Sequence, residues 1–362
     1  MYRFTNEERR RRVGIRHHLT EPARSPLQVA SALVGLHSSD PVTVYLSCRA
    51  RLSDFHRSQL ETLVYEERSL LRMLGMRRTM FVVPHDLAPL LDAGCARALA
   101  PGERRRLIGY LEQQEVASDG EGWLRRVEDL TMAALHKLGP ATAKELSAEV
   151  PELTTKLTFG VGKQWGGQVG VSTRVLFLLA TSGRIVRGKP LGSWLSSQYR
   201  WAALENWVPG GLEDVEKEHA QAELVRRWLA SYGPGSLTDI SWWTGWGKRV
   251  TATAIESCGG VAVDMAGTEG YALADDLEDS EESPPWVAFL PSLDSTIMGW
   301  KERDWYLGEH QPALYDRNGN AGPTVWVDGR VVGGWSQHPT GTIVYRTLEE
   351  VGCEAGALIA AE

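Results

Sequence analysis

The run Gly35-Leu36-His37-Ser38-Ser39-Asp40-Pro41 sets an imidazole, two hydroxyls and a carboxylate into an apolar surround. An imidazole titrates near working pH, so a neutral His37 can accept a proton from an attacking water. Ser39 can hold that water by a hydrogen bond, and Asp40 can orient the imidazole. Leu27, Val29, Ala30, Ala32, Leu33 and Leu36 mark a buried helix ahead of the run. Pro41 opens the next helix, with Asp40 as its N-cap. His37, Ser38 and Ser39 are therefore expected at a helix-to-helix turn, where backbone N–H groups and polar side chains converge on a ligand. The plainer reading of the same residues is a capped turn carrying a surface histidine.

The 362 residues suffice for two to four domains, each with a core of its own. No run approaches the ~20 apolar residues that span a bilayer, and the N-terminus shows no secretion signal. Cys48, Cys95, Cys258 and Cys353 form no CxxC pair, which argues against a zinc site or a disulfide framework. A cytoplasmic, nucleoid-associated monomer with no cofactor and no membrane partner is the expectation. The net charge of −7 is unevenly spread. Residues 1–110 hold 18 Lys/Arg against 11 Asp/Glu, whereas 264–282 hold eight acids and no base. Screening over ~8 Å should keep the acidic stretch from cancelling the basic one. Fourteen tryptophans suit a protein that stacks on bases or on a flat ligand.

One plan recurs along the chain. An amphipathic helix over 120–138 ends at Gly139-Pro140, a short helix over 142–150 follows, then a third over 172–182 and a strand from Ile185. Ninety-four residues on, a helix over 213–231 ends at Gly233-Pro234; two more cover 236–243 and 248–257, and a hairpin runs through 261–264 and 270–273. Helix, Gly-Pro turn, short helix, longer helix and two-stranded wing is winged helix-turn-helix order. A third copy fits the N-terminus, with helices over 6–17, 26–36, 41–52 and 55–65 and a wing over 70–83 in which Arg72, Arg77 and Arg78 alternate with apolar residues. The fold class is thus α+β. Three tandem winged-helix units (1–115, 116–208 and 209–280) precede a linker at 276–285 and a strand-rich domain over 286–362.

Three sets of residues carry a resemblance. They are Gly35–Pro41 with Tyr45-Leu46, Arg49 and Arg51; Met76-Arg77-Arg78-Thr79-Met80-Phe81-Val82-Val83; and Phe289–Lys301 followed by Gly333-Gly334-Trp335. Together they resemble the tandem winged-helix DNA glycosylases, the AlkZ and YcaQ-like group. The resemblance implies units arranged around a channel of DNA width. It also implies base excision repair, with excision of bulky alkylated purines or unhooking of crosslinks, often as self-resistance in producers of genotoxic natural products. Family members usually carry Gln-x-Gln or Gln-x-Asp where this chain has His37-Ser38-Ser39. The change either alters substrate preference or removes activity.

Hydrolysis of the N-glycosidic bond of such a purine needs little acid catalysis, because N7 or N3 alkylation already makes the leaving purine cationic. The demand falls on the water, met by His37 and Ser39, and on the cationic sugar, to which Asp40 can offer charge. No lysine lies between residues 1 and 110, so a monofunctional reaction is favoured over a Schiff-base lyase. Phosphate contacts to double-stranded DNA are expected from Arg49, Arg51, Arg77, Arg78 and Arg184. Trp165, in the Gly162–Gly167 loop, could stack on an adduct. A winged-helix DNA-binding regulator without catalysis is the main alternative, and a protein that sequesters the free genotoxin is another.

Overall fold

The computed structural model describes residues 1–160 and 166–361. Trp165 lies outside them. Helix starts follow the sequence because their caps do. Thr5, Ser25, Asp40 and Asp119 accept backbone N–H groups at the heads of Asn6–Arg16, Pro26–Ala32, Pro41–Arg49 and Gly120–Leu138. Thr142/Glu145 and Ser236/Asp239 form reciprocal capping boxes on Ala143–Glu149 and Leu237–Thr244. The repeated plan appears as helices Gly120–Leu138, Ala143–Glu149 and Val171–Thr181 with the hairpin Ile185–Pro190/Tyr199–Ala203. It returns as Lys217–Tyr232, Leu237–Thr244 and Lys248–Ser257 with the hairpin Gly260–Met265/Thr268–Leu273.

The helix expected over 26–36 stops at Ala32. Val34 and Gly35 turn through positive φ (48° and 99°), and Leu36–His37 becomes a strand. Leu36 and Leu33 look helical in sequence because both are buried, yet Leu36 is buried by pairing. It lies opposite Val82, with His37 opposite Phe81, on the hairpin Leu70–Leu74/Met80–Pro84. The following helix ends at Arg49 rather than residue 52, and Arg57–Glu61 continues as a π-turn to Glu66. Several elements escaped the reading: strands Arg3–Phe4, Lys156–Phe159, Gly167–Gly170 and Tyr199–Ala203, and helices Ala100–Gln113 and Cys353–Ala361. Ala100–Gln113 contains one proline and two glycines, which mask its helical periodicity.

The sheet Leu36–His37, Met80–Pro84 and Leu70–Leu74 is buried on both faces. Leu36, Leu70 and Val82 pack with Val29, Leu33, Val44 and Cys48. Leu71, Met73, Phe81 and Val83 join a large core that also holds Trp228, Tyr232, Trp300 and Trp326. That core unites the N-terminal hairpin, the helix Lys217–Tyr232 and the four-stranded C-terminal sheet, while residues between Leu107 and Ala203 enclose a separate one.

The acidic 276–282 stretch is not a free linker. Asp276 accepts from Arg12 (2.8 Å) and Arg16 (2.6 Å), Asp279 accepts from the Tyr2 hydroxyl (2.7 Å), and the Ser280 hydroxyl and amide donate to Glu8. It straps the N-terminal arginine helix and offsets part of its charge locally, so the expected separation of the two charge blocks does not hold. No described helix is long and apolar enough to cross a membrane.

Candidate active site

Gly35 is the pivot of the turn. Beyond its φ of 99°, a Cβ there would stand 2.8 Å from Val83 Cγ1, so no other residue fits without displacement. The His37 amide donates to Ser295 Oγ (3.0 Å), and the Ser295 hydroxyl donates to the Gly35 carbonyl (2.9 Å). The segment around Ser295 thereby locks the strand from behind. The imidazole sits edge-on to Phe81, with ring centres 5.3 Å apart. His37 is only 5% exposed, and its Nδ1 is buried with no hydrogen-bond partner. Burial first, and the Arg77 charge second, pull its pKa down to about 4, opposed only by Asp294. The histidine is therefore neutral at pH 7, but it is enclosed at the rim of a sheet rather than standing open at a surface turn.

Ser38 continues the strand by donating its amide to the Met80 carbonyl (2.8 Å), and its own carbonyl accepts Arg72 Nη2 (2.7 Å). Its hydroxyl is buried and unpaired. Ser39 is exposed. Asp40 is partly buried and accepts the Val42 amide (3.0 Å), confirming its cap role.

The five expected phosphate-contacting arginines fare differently. Arg49 is exposed at the end of its helix and forms no ion pair with described residues. Arg51 must be withdrawn: its guanidinium is fully enclosed, paired with Asp294 (2.7 Å), and donates to the His17 and Ser47 carbonyls and to Thr296 Oγ1. A phosphate cannot reach it. Arg77 and Arg78 sit at the hairpin tip, both with positive φ, rather than alternating along a strand. Arg77 lies 3.8 Å over the Trp242 ring, on which Arg303 also rests at 4.9 Å. It has no carboxylate partner among the described residues, and burial followed by the Arg303 charge lowers its pKa to about 10, so it stays charged. Arg78 is exposed but pairs with Glu103 (2.7 Å), and Arg184 lies 3.5 Å from Asp129. Arg72, expected to alternate with apolar residues along the wing, is 3% exposed and turned inward.

The buried polar cluster behind the turn was missed. Asp294 takes hydrogen bonds from Arg51, Ser47 and the Thr296 amide, and His17 Nδ1 meets Thr296 Oγ1 at 2.9 Å. Burial alone would raise the Asp294 pKa, but Arg51 and these hydrogen bonds hold it below its ordinary value. In sequence its signals were the polar run Ser292–Thr296 inside an apolar segment and the place of that run in the Phe289–Lys301 set. Among the described residues no group of three or more His, Cys, Asp and Glu is placed to hold a metal.

The whole chain takes up a known fold. The structure of Streptomyces sahachiroi DNA glycosylase AlkZ superposes with a TM-score of 0.71 at 19% identity, covering 99% of this chain and 95% of that one. No match is found among curated protein sequences. The family model described as DNA glycosylase AlkZ-like matches residues 30–362, and the chain belongs to that family of DNA glycosylases.

Proposed function

We propose that this DNA glycosylase is monofunctional and hydrolyses the N-glycosidic bond of bulky alkylated purines, with the turn Gly35–Asp40 as its catalytic centre. The two helix–turn–helix–hairpin repeats and the N-terminal hairpin are read as three winged-helix units around a DNA channel. The observation that carries the chemistry is the enclosed, unpaired and neutral His37 imidazole next to exposed Ser39. A pKa near 4 makes His37 about as basic as an ordinary carboxylate. That suffices here: a cationic purine departs unaided and leaves an electrophilic oxocarbenium-like sugar, so the attacking water needs orientation more than strong deprotonation. Ser39 holds the water at the open side, His37 accepts its proton, and Asp40 faces the developing positive charge. With no lysine in the first 110 residues, no lysine amine of that region can form a Schiff base. DNA is held by Arg49, Arg77, Arg78 and Arg184, and the product is an abasic site.

Single-turnover excision from a duplex carrying an N7-alkylguanine, followed by alkaline cleavage, tests this reading. His37→Ala should slow excision by two to four orders of magnitude, the usual range for a general base, with DNA affinity within a few-fold; Ser39→Ala should show a smaller loss. Excision by His37→Ala at the unaltered rate would remove His37 from the chemistry. Binding of duplex by the unaltered protein without any excision would favour a DNA-binding role alone.

A further inference from the structure

Two arginines that form no ion pair among the described residues converge on Tyr199. The Arg72 guanidinium lies 3.9 Å and that of Arg187 5.3 Å from the Tyr199 ring centre, and Arg187 is also 5.0 Å from Trp201. They come from different elements, the strand Leu70–Leu74 and the hairpin Ile185–Pro190/Tyr199–Ala203, which pack together. A register shift between Arg187 and Pro190 bends the hairpin at this point. Neither arginine has an ion-pair partner among the described residues. Arg72 Nε, Arg187 Nε and the Tyr199 hydroxyl are all buried without a hydrogen-bond partner, as is the Ser38 hydroxyl. Arg187 and Tyr199 open into a cleft of about 390 Å³ whose lining also includes Thr142, Lys144, Gln198 and Trp201 and no acidic residue.

Burying one cation without a counter-charge is unfavourable, and placing a second beside it is worse. Such an arrangement is compensated when an anion supplies the missing charge and accepts the spare N–H and O–H groups. On the opposite side, Arg72 holds the Ser38 carbonyl, between His37 and Ser39. An anion drawn to Arg187 and Tyr199 is thereby one guanidinium away from the catalytic turn.

The geometry points to a phosphate seat formed by Arg187 and Tyr199 and backed by Arg72, which takes a backbone phosphodiester of the DNA strand that passes the Gly35–Asp40 turn. This rests on the proposed reaction only in that DNA must lie along the turn. The seat sets the register of the strand, and Arg72 ties that register to the residues flanking Ser38.

Fluorescence-anisotropy binding of the full chain to an undamaged duplex, over a series of salt concentrations, tests it. Arg187→Gln should weaken binding about tenfold at low salt and reduce the log–log salt slope by about one, as for one lost phosphate contact. Arg187→Lys should keep the slope but lose affinity. Tyr199→Phe should lose affinity with the slope unchanged. Lys189→Gln, which removes an exposed charge on the same hairpin, should leave both nearly as they are. The proposal is overturned if Arg187→Gln binds duplex like the unaltered protein, or if Lys189→Gln reduces the slope equally. It is also overturned if inorganic phosphate alone raises the melting temperature in an Arg187-dependent way while duplex binding ignores Arg187, which would mark a free-anion site. Arg187→Gln should melt no lower than the unaltered protein, because it removes an uncompensated charge. Excision by the unaltered protein is scored separately, so a failed reaction and a failed seat give different results.

Discussion

At the scale of residues, the candidate site contrasts a buried imidazole with an exposed hydroxyl. Because burial lowers the His37 pKa to about 4, the neutral imidazole persists well below neutrality. Excision should therefore stay level from pH 8 to about pH 5.5 and fall only as the ring protonates near pH 4. An acid limb centred near 6.5, the value of a solvated histidine, would show that the ring is not desolvated in the working enzyme. Asp40 has two duties that substitution separates. Asp40→Asn retains an oxygen that can cap the Val42 amide, whereas Asp40→Ala loses the cap at a cost of about 1 kcal/mol. If the Asp40 charge serves the cationic sugar, Asp40→Asn should melt like the unaltered protein and excise more slowly. Equal excision rates would leave Asp40 as a cap only.

At the scale of elements, the decisive feature is a two-residue strand. Leu36–His37 exists because Gly35 can turn at φ 99° and because Ser295 bonds both the Gly35 carbonyl and the His37 amide. Gly35→Ala adds a strained backbone and a methyl group 2.8 Å from Val83 Cγ1. We expect it to cost about 1–3 kcal/mol in denaturant unfolding, and to lower excision beyond the loss of folded protein by shifting His37. A variant as stable and active as the parent would show that the turn tolerates another backbone. The cap residues, the Gly-Pro turns and the apolar periodicities place most of the long helices within a few residues of where they form. The strand at His37 was not legible, since two residues carry no periodicity and their partner, Phe81-Val82, lies 44 positions away or more.

At the scale of the whole molecule, the turn Gly35–Asp40 leans on a distant part of the chain. Arg51, just past the helix after the turn, and Asp294, both fully enclosed, join this part of the chain to the segment that carries Ser295. Removing one partner of such a pair strands the other charge. Asp294→Asn should lower unfolding free energy by about 3–5 kcal/mol, measured by denaturant titration, and should reduce excision although residue 294 does not face the DNA. A loss below 1 kcal/mol would mean that the pair is not shut away from water. Arg51 was read as a phosphate contact because an arginine in a basic stretch looks the same in sequence whether it faces solvent or a buried carboxylate. Its partner lies 243 residues downstream.

What the amino-acid order determined by itself is local: caps, turn-forming glycines, helix periods, and a run that sets His37, Ser38, Ser39 and Asp40 side by side. The family likeness was also legible there, in the residue sets Gly35–Pro41, Met76–Val83 and Phe289–Lys301. Tertiary structure alone decided which charges are spent inside and which stay free. Arg51 and the Arg12 region meet acids brought from far along the chain, while Arg72 and Arg187 meet at Tyr199 and form no ion pair among the described residues. Charge compensation depends on distances of a few ångströms between residues hundreds of positions apart, and only the folded chain sets those distances.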